Sequence, residues 1–317
     1  MSSKLAVFLA ISFTWAALVG AGLFVTGTEL NSLPGILVMA ILYMPSPIVA
    51  AVIAERGIRR DRLRLPRRGG AAGVVRFVLT PVAAVLAFAL LYVAIALVAG
   101  DLLEIPGFSG LAMTEAAIMD GAAGLLGDAA VAAAGPPPPV IVLALASVWG
   151  AVLAGWTLNG LFALGEEYGW RGLMWDELKH MGVVKANIAI GLAWGLWHAP
   201  VILQGYNYGS SALGVPAMVL FCTGMSFILS AIRQRTESVL PVAAAHGIFN
   251  AIAPILLILV PDTVPVVTGP LGLTSALLLA LVGALLWIRA PRPAQRTSAT
   301  TATMPPNVTT KQHRDMR

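Results

Sequence analysis

Charge is scarce in this chain. Only 11% of its 317 residues are Asp, Glu, Lys or Arg, against roughly 25% in an ordinary soluble domain. With 58% hydrophobic residues and a mean hydropathy of +0.85, the chain falls in the polytopic membrane class. Cysteine is almost missing. Cys222 stands alone, which excludes an intrachain disulfide and any cysteine-built metal site. In its apolar segment it reads as a small buried hydrophobe. Histidine is limited to four copies. The net charge of +5 comes without an aromatic-interleaved basic domain, so no nucleic-acid partner is expected.

What is present is a series of long apolar runs. Eight spans are expected, at about 5–26, 34–54, 73–99, 140–165, 185–204, 212–232, 239–260 and 270–289. Several exceed the ~18 apolar residues of a spanning candidate. In lipid such runs must be helical, because a helix satisfies its own backbone groups. The expected fold is therefore an all-α polytopic membrane helical bundle of about eight transmembrane helices. The first run is too long for a leader's apolar region and no small-x-small site follows, so it is read as a retained helix.

Charge sets the expected orientation. Seven arginines fall between Arg56 and Arg68. Together with Lys4, Arg171, Lys179, Lys185, Arg233, Arg235 and the tail from Arg289, they all fall on one side of this topology, and Arg76 starts the third span from that side. The opposite loops carry Glu29, Asp101, Glu104, Glu115, Asp120, Asp128 and Asp262, and no Lys or Arg. The positive-inside rule then puts both termini in the cytoplasm of a multi-pass cell-membrane protein. The arginine loop is expected to meet anionic headgroups of the lipid bilayer. Three regions follow: 1–138 with the first helices, the basic inner loop and a long outer loop; 139–290 as the core; and 291–317 as a basic tail expected to be disordered. The outer loop should carry one short surface helix and end in a stiff GPPPP. The MPSP at 44–47 should kink the second span.

Ionisable groups inside spans cost on the order of 2.5–3.5 kcal/mol each and are functional suspects. Here they gather in three places: GEEYGWRG at 165–172, AWGLWHAP at 193–200 and AAAHGIFN at 243–250. Glu167 and Arg171 stand at i,i+4 in the favourable order. Glu166 points about 100° away from Glu167 and is left less occupied. A carboxylate beside another in an apolar setting is suited to take a proton from water near neutral pH. His246 and Asn250 share a helical face, where His can polarise a carbonyl or bind metal and Asn can donate to an oxyanion. Trp194 lies one turn before His198 and is placed to pack over a site. On the expected boundaries Glu166, His246 and His198 sit at different depths. One site requires the fourth helix to run on past Arg171, carrying Glu166 inward. Each motif alone also has a plain reading: a charged helix end, an interhelical hydrogen bond, a satisfied histidine.

The three motifs in order resemble the CPBP intramembrane proteases, which include type 2 CAAX prenyl endopeptidases and bacterial Abi and bacteriocin-processing proteins. The family pattern EExxxR, FxxxH, HxxxN is met by EEYGWR at 166–171, WGLWH at 194–198 and HGIFN at 246–250. The resemblance covers about 150–260. Trp194 replaces the family's Phe, a change expected to bear on fit more than on chemistry. The resemblance implies an endopeptidase acting on membrane-embedded or lipidated peptide or protein substrates. Glu166 would be the water-activating base, Glu167 and Arg171 its supporting pair, His198 and His246 the lining of the centre, and Asn250 an oxyanion donor. The family is described both as metal-dependent and as glutamate-dependent. Two His plus Glu is a plausible zinc set with an open position, so His198 and His246 are also candidate metal ligands. Two other classes stay open: a proton-coupled transporter using the same glutamates and histidines as a relay, and a non-catalytic immunity or scaffold protein of the same fold.

Overall fold

The computed structural model describes residues 1–66 and 70–288. The expected disordered tail at 291–317, and Arg67 and Arg68 of the basic loop, lie outside the described residues. Among the described residues every regular element is helical.

Helix α1 (Ser3–Thr26) starts where the Ser2 hydroxyl accepts the Leu5 N–H at 3.2 Å. It ends at Gly27, whose φ of 64° only glycine takes at little cost. Helix α2 (Leu33–Val38) runs into a π-helical stretch, Met39–Tyr43, and α3 (Ser46–Glu55) follows. The break between them falls at the MPSP expected to kink this span. Helix α4 (Gly70–Ile95) continues into a second π-helical stretch, Ala96–Leu102. The outer loop holds two helices rather than one, α5 (Glu115–Leu126) and α6 (Asp128–Ala134), because Gly127 at φ 87° interrupts them.

The core contains α7 (Val140–Trp156), α8 (Leu158–Glu167), a third π-helical stretch at Tyr168–Met174, and α9 (Trp175–Leu178). Then come α10 (Val183–Trp197), α11 (Ala199–Ile202), α12 (Gly214–Thr236), α13 (Leu240–Leu259) and α14 (Leu273–Ile288). Among the described residues five helices are long and apolar enough to cross a membrane, and α7 with its bent continuation makes a sixth if counted as one span. Helices α10 and α14 are apolar but shorter. The chain is a multi-pass membrane protein. Helix α10 is shorter than its expected span because Pro200 lacks an N–H and breaks the run after His198.

The span expected at 140–165 is not straight. It bends by 50° between α7 and α8. The bend lets both halves lie against α13 at backbone contact. A Cβ on Gly155 would sit 2.6 Å from the Ile248 nitrogen, and one on Gly247 would sit 2.6 Å from the Gly160 nitrogen. Small residues at such crossings allow backbones to approach, which is how helices gain packing energy in lipid. The Asn159 side-chain amide adds a bond to the Gly247 carbonyl at 3.3 Å.

One end of the bundle is pinned by Arg62, which is 3% exposed. Its guanidinium donates to Glu55 at 2.9 Å and to Asp176 at 3.0 Å. Its carbonyl accepts the Val239 N–H at 2.8 Å. Burial works against the Arg62 charge, but the two carboxylates outweigh it, and its pKa stands above the ordinary arginine value. Lys4, Arg59, Arg64 and Arg233 border the same depression; this is the arginine end. The acidic end carries Glu29, Asp101, Glu104, Glu115 and Asp262 in the opposite set of connections.

Replacing Gly247 by Ala should push α13 from α8 and cost about 1–3 kcal/mol, the usual penalty for overpacking. Thermal unfolding in detergent, followed by helical circular dichroism, checks this; an unchanged midpoint would contradict the close crossing.

Candidate active site

Helix α8 does not stop at Gly165. It continues through the π-helical stretch, and Glu166 and Glu167 lie inside the bundle at 2% and 0% exposure. This removes the depth conflict, since Glu166 is carried well inward of Asp176 at the arginine end. The π-helical stretch keeps Arg171 close to Glu167. The Arg171 Nη1 lies 3.0 Å from each Glu167 oxygen, with both side chains fully buried. Its Nη2 donates to the Ser226 hydroxyl at 2.8 Å, and Ser226 donates onward to the Cys222 carbonyl at 2.7 Å. The guanidinium carbon stands 4.2 Å from the centre of the Trp194 ring, a cation–π contact.

Glu167 serves a second partner. His246 Nδ1 lies 2.8 Å from its Oε1. A carboxylate only accepts, so the His246 Nδ1 carries the proton and Nε2 is left for other work. His198 is oriented in the same way, with Nδ1 2.9 Å from the Trp194 carbonyl. Trp194 joins these groups. Its indole N–H donates to Glu166 Oε2 at 2.6 Å. Its ring meets His246 edge-on at 5.4 Å and lies 5.9 Å from the His198 ring. The family's Phe could pack there but could not donate.

Glu166, Trp194, His198, His246 and Asn250 all border one cavity of about 370 Å³. Glu167 and Arg171 do not line it; they stand behind it and hold His246. Asn250, one turn beyond His246, is exposed to this space. The structure thus brings together all seven residues singled out from the sequence. Three further side chains were not foreseen. Ser226 pairs with Arg171, and nothing in the sequence separates it from Ser230 one turn on. Tyr43 and Tyr206 line the cavity near Glu166; Tyr43 also donates to the Trp197 carbonyl at 2.5 Å. A tyrosine beside MPSP in an otherwise apolar run was the only available hint.

Among the described residues no three His, Cys, Asp or Glu side chains are grouped to hold one metal ion. The Nδ1 atoms of both histidines and one Glu166 oxygen are engaged, which leaves the Nε2 atoms of His198 and His246 and the second Glu166 oxygen as the atoms that would meet a metal. No step below passes through a metal.

Residues 143–252, which contain this whole constellation, match the type II CAAX prenyl endopeptidase Rce1-like family. The match covers about a third of the chain. The chain is also 29% identical over 127 residues to the CAAX prenyl protease 2 of Methanococcus maripaludis, a match covering 37% of this chain and 45% of that relative. The chain thus spans less than half the length of the curated relative it matches. The matched segment begins within α7 and ends within α13, so it holds the bend and all three motifs.

Ser226→Ala should leave the buried Arg171 Nη2 unpaired and destabilise the protein by about 1–3 kcal/mol. Ser230→Ala, which removes a buried hydroxyl that has no partner, should cost less. Denaturant unfolding of the two variants in the same detergent checks this; equal losses would contradict the Ser226 role.

Proposed function

We propose that this protein is an intramembrane endopeptidase that hydrolyses peptide bonds of membrane-associated or C-terminally lipidated substrates. One observation carries the reading: Glu166, His198 and His246 border a single cavity within a membrane bundle, while Glu167 is committed to Arg171 and His246. The family model that residues 143–252 match and the name of the Methanococcus maripaludis relative support a CAAX-type activity. The Met- and Phe-rich cavity wall suits an apolar or lipidated chain.

In the proposed reaction Glu166 takes a proton from a water molecule in the cavity. The resulting hydroxide attacks the scissile carbonyl carbon, and the π electrons move to the carbonyl oxygen. Asn250 donates to that oxyanion, and His198 and His246 complete the polar lining around it. The tetrahedral intermediate collapses as Glu166 passes its proton to the leaving amine, and the C–N bond breaks. Glu167 and Arg171 act through His246. The Trp194 N–H fixes one Glu166 oxygen, so that the other meets the water.

Purified protein in detergent should cut a quenched C-terminal peptide, with its preference read from peptides with and without a lipidated cysteine. Glu166→Gln should lower kcat by about 10²–10⁴-fold, the usual weight of a general base. His198→Ala and His246→Ala should each lose most of the activity. No cleavage of any peptide by the wild-type protein, or undiminished cleavage by Glu166→Gln, would overturn the proposal.

A further inference from the structure

The cavity is bounded differently toward the two ends of the bundle. Toward the arginine end, Glu167, Arg171 and Ser226 stand behind its wall, and all three are fully buried. Below them Trp170, Leu173, Ile228 and Leu229 are also 0% exposed. The buried Arg62 cluster seals that end of the bundle. Toward the acidic end the burial falls away along one stripe of α13. His246 is 6% exposed, whereas Asn250 and Pro254, one and two turns further on, are exposed. With Leu257 they form a stripe at helical spacing that borders the cavity for the rest of the helix. The cavity wall then passes to residues of the acidic-end connections: Leu125 on α5, Asn207 after α11, and Leu271 before α14. Helix α5 is itself fixed beside this mouth, since a Cβ on Gly121 would lie 2.9 Å from the Ile258 carbonyl oxygen.

We propose that substrate reaches Glu166 from the acidic end, along the α13 stripe. The walls of this route carry Met39, Met44, Met218, Phe221 and Phe249, so the segment that enters is apolar, and flexible methionines accommodate varied side chains. The connections around its mouth carry acids and no Lys or Arg. The part of the substrate left outside is therefore basic, drawn in by charge complementarity. By the positive-inside rule the arginine end is cytoplasmic, so the substrate is an exported or outer-leaflet peptide with an apolar segment and a basic flank. The substrate class rests on the endopeptidase reading; the direction of the route does not.

Single cysteines at 254 and 257, made as Pro254→Cys and Leu257→Cys in a Cys222→Ser background, test the route. A membrane-impermeant maleimide is added to vesicles of each orientation, with Arg64→Cys and Asp262→Cys marking the two ends. Positions 254 and 257 should label from the side that labels 262, with labelling lost from the side that labels 64. If one variant fails to fold, the other reports. Labelling from the Arg64 side, or at neither position in folded protein, overturns the route. Sealed vesicles with the wild-type protein then test the substrate class. An apolar quenched peptide with a basic flank, supplied on the Asp262 side, should be cut faster than its acidic-flank counterpart, with the ratio falling as salt is added. Equal rates, or preference for the acidic flank, overturn the class. Failure to cut any peptide, with the labelling pattern intact, would count against the endopeptidase reading and not against the route.

Discussion

The buried pair between Glu167 and Arg171 is the constraint on which the rest depends. Taking two charges out of water costs several kcal/mol per ion before their attraction is counted. Here the cost is offset because each partner is used more than once. Arg171 reaches both Glu167 oxygens, the Ser226 hydroxyl and the face of Trp194. Glu167 also holds His246. Through these contacts one ion pair fixes the relative positions of α8, α10, α12 and α13. The arrangement leaves Glu166, the adjacent carboxylate, on the cavity wall with a single indole donor. Apart from the Arg62 cluster at the arginine end, the buried ions of this charge-poor chain gather here.

The helices can meet at that place because their backbones come close. Gly155 and Gly247 have no room for a Cβ, and the 50° bend after Trp156 turns α8 so that it follows α13. A straight span would leave Glu166 near the membrane edge, in water, where a carboxylate has no reason to be anything but a charged helix end. The bend, the glycine crossing and the ion pair thus act together. The first fixes direction, the second distance and the third register. The same contacts fill the bundle behind the cavity toward the arginine end, and the route we propose lies toward the opposite end.

Much of this was legible in the sequence, and the parts that were not share a physical cause. Apolar length announced the helices, and the MPSP break appeared where proline chemistry required it. The spacing of Glu167 and Arg171 announced their pairing because i,i+4 contacts are local. Asn250 followed from His246 in the same way. What stayed hidden were contacts between spans. Ser226 looks like Ser230 until Arg171 arrives beside it, and the indole N–H of Trp194 has meaning only when Glu166 stands opposite. The bend at Thr157 was invisible because an apolar run has the same composition whether straight or folded back on a neighbour. The second outer-loop helix was missed because Gly127 reads equally well as part of a flexible, Ala-rich loop.

The dependence of the site on Glu167 and Arg171 is tested most directly by a double-mutant cycle on unfolding free energy, using Glu167→Met, Arg171→Met and the pair together. Each single change should strand a buried charge and cost about 3–5 kcal/mol, whereas the double change should cost clearly less than the sum of the two. Additive losses would mean that the two side chains act independently, and would contradict a site built around their pairing.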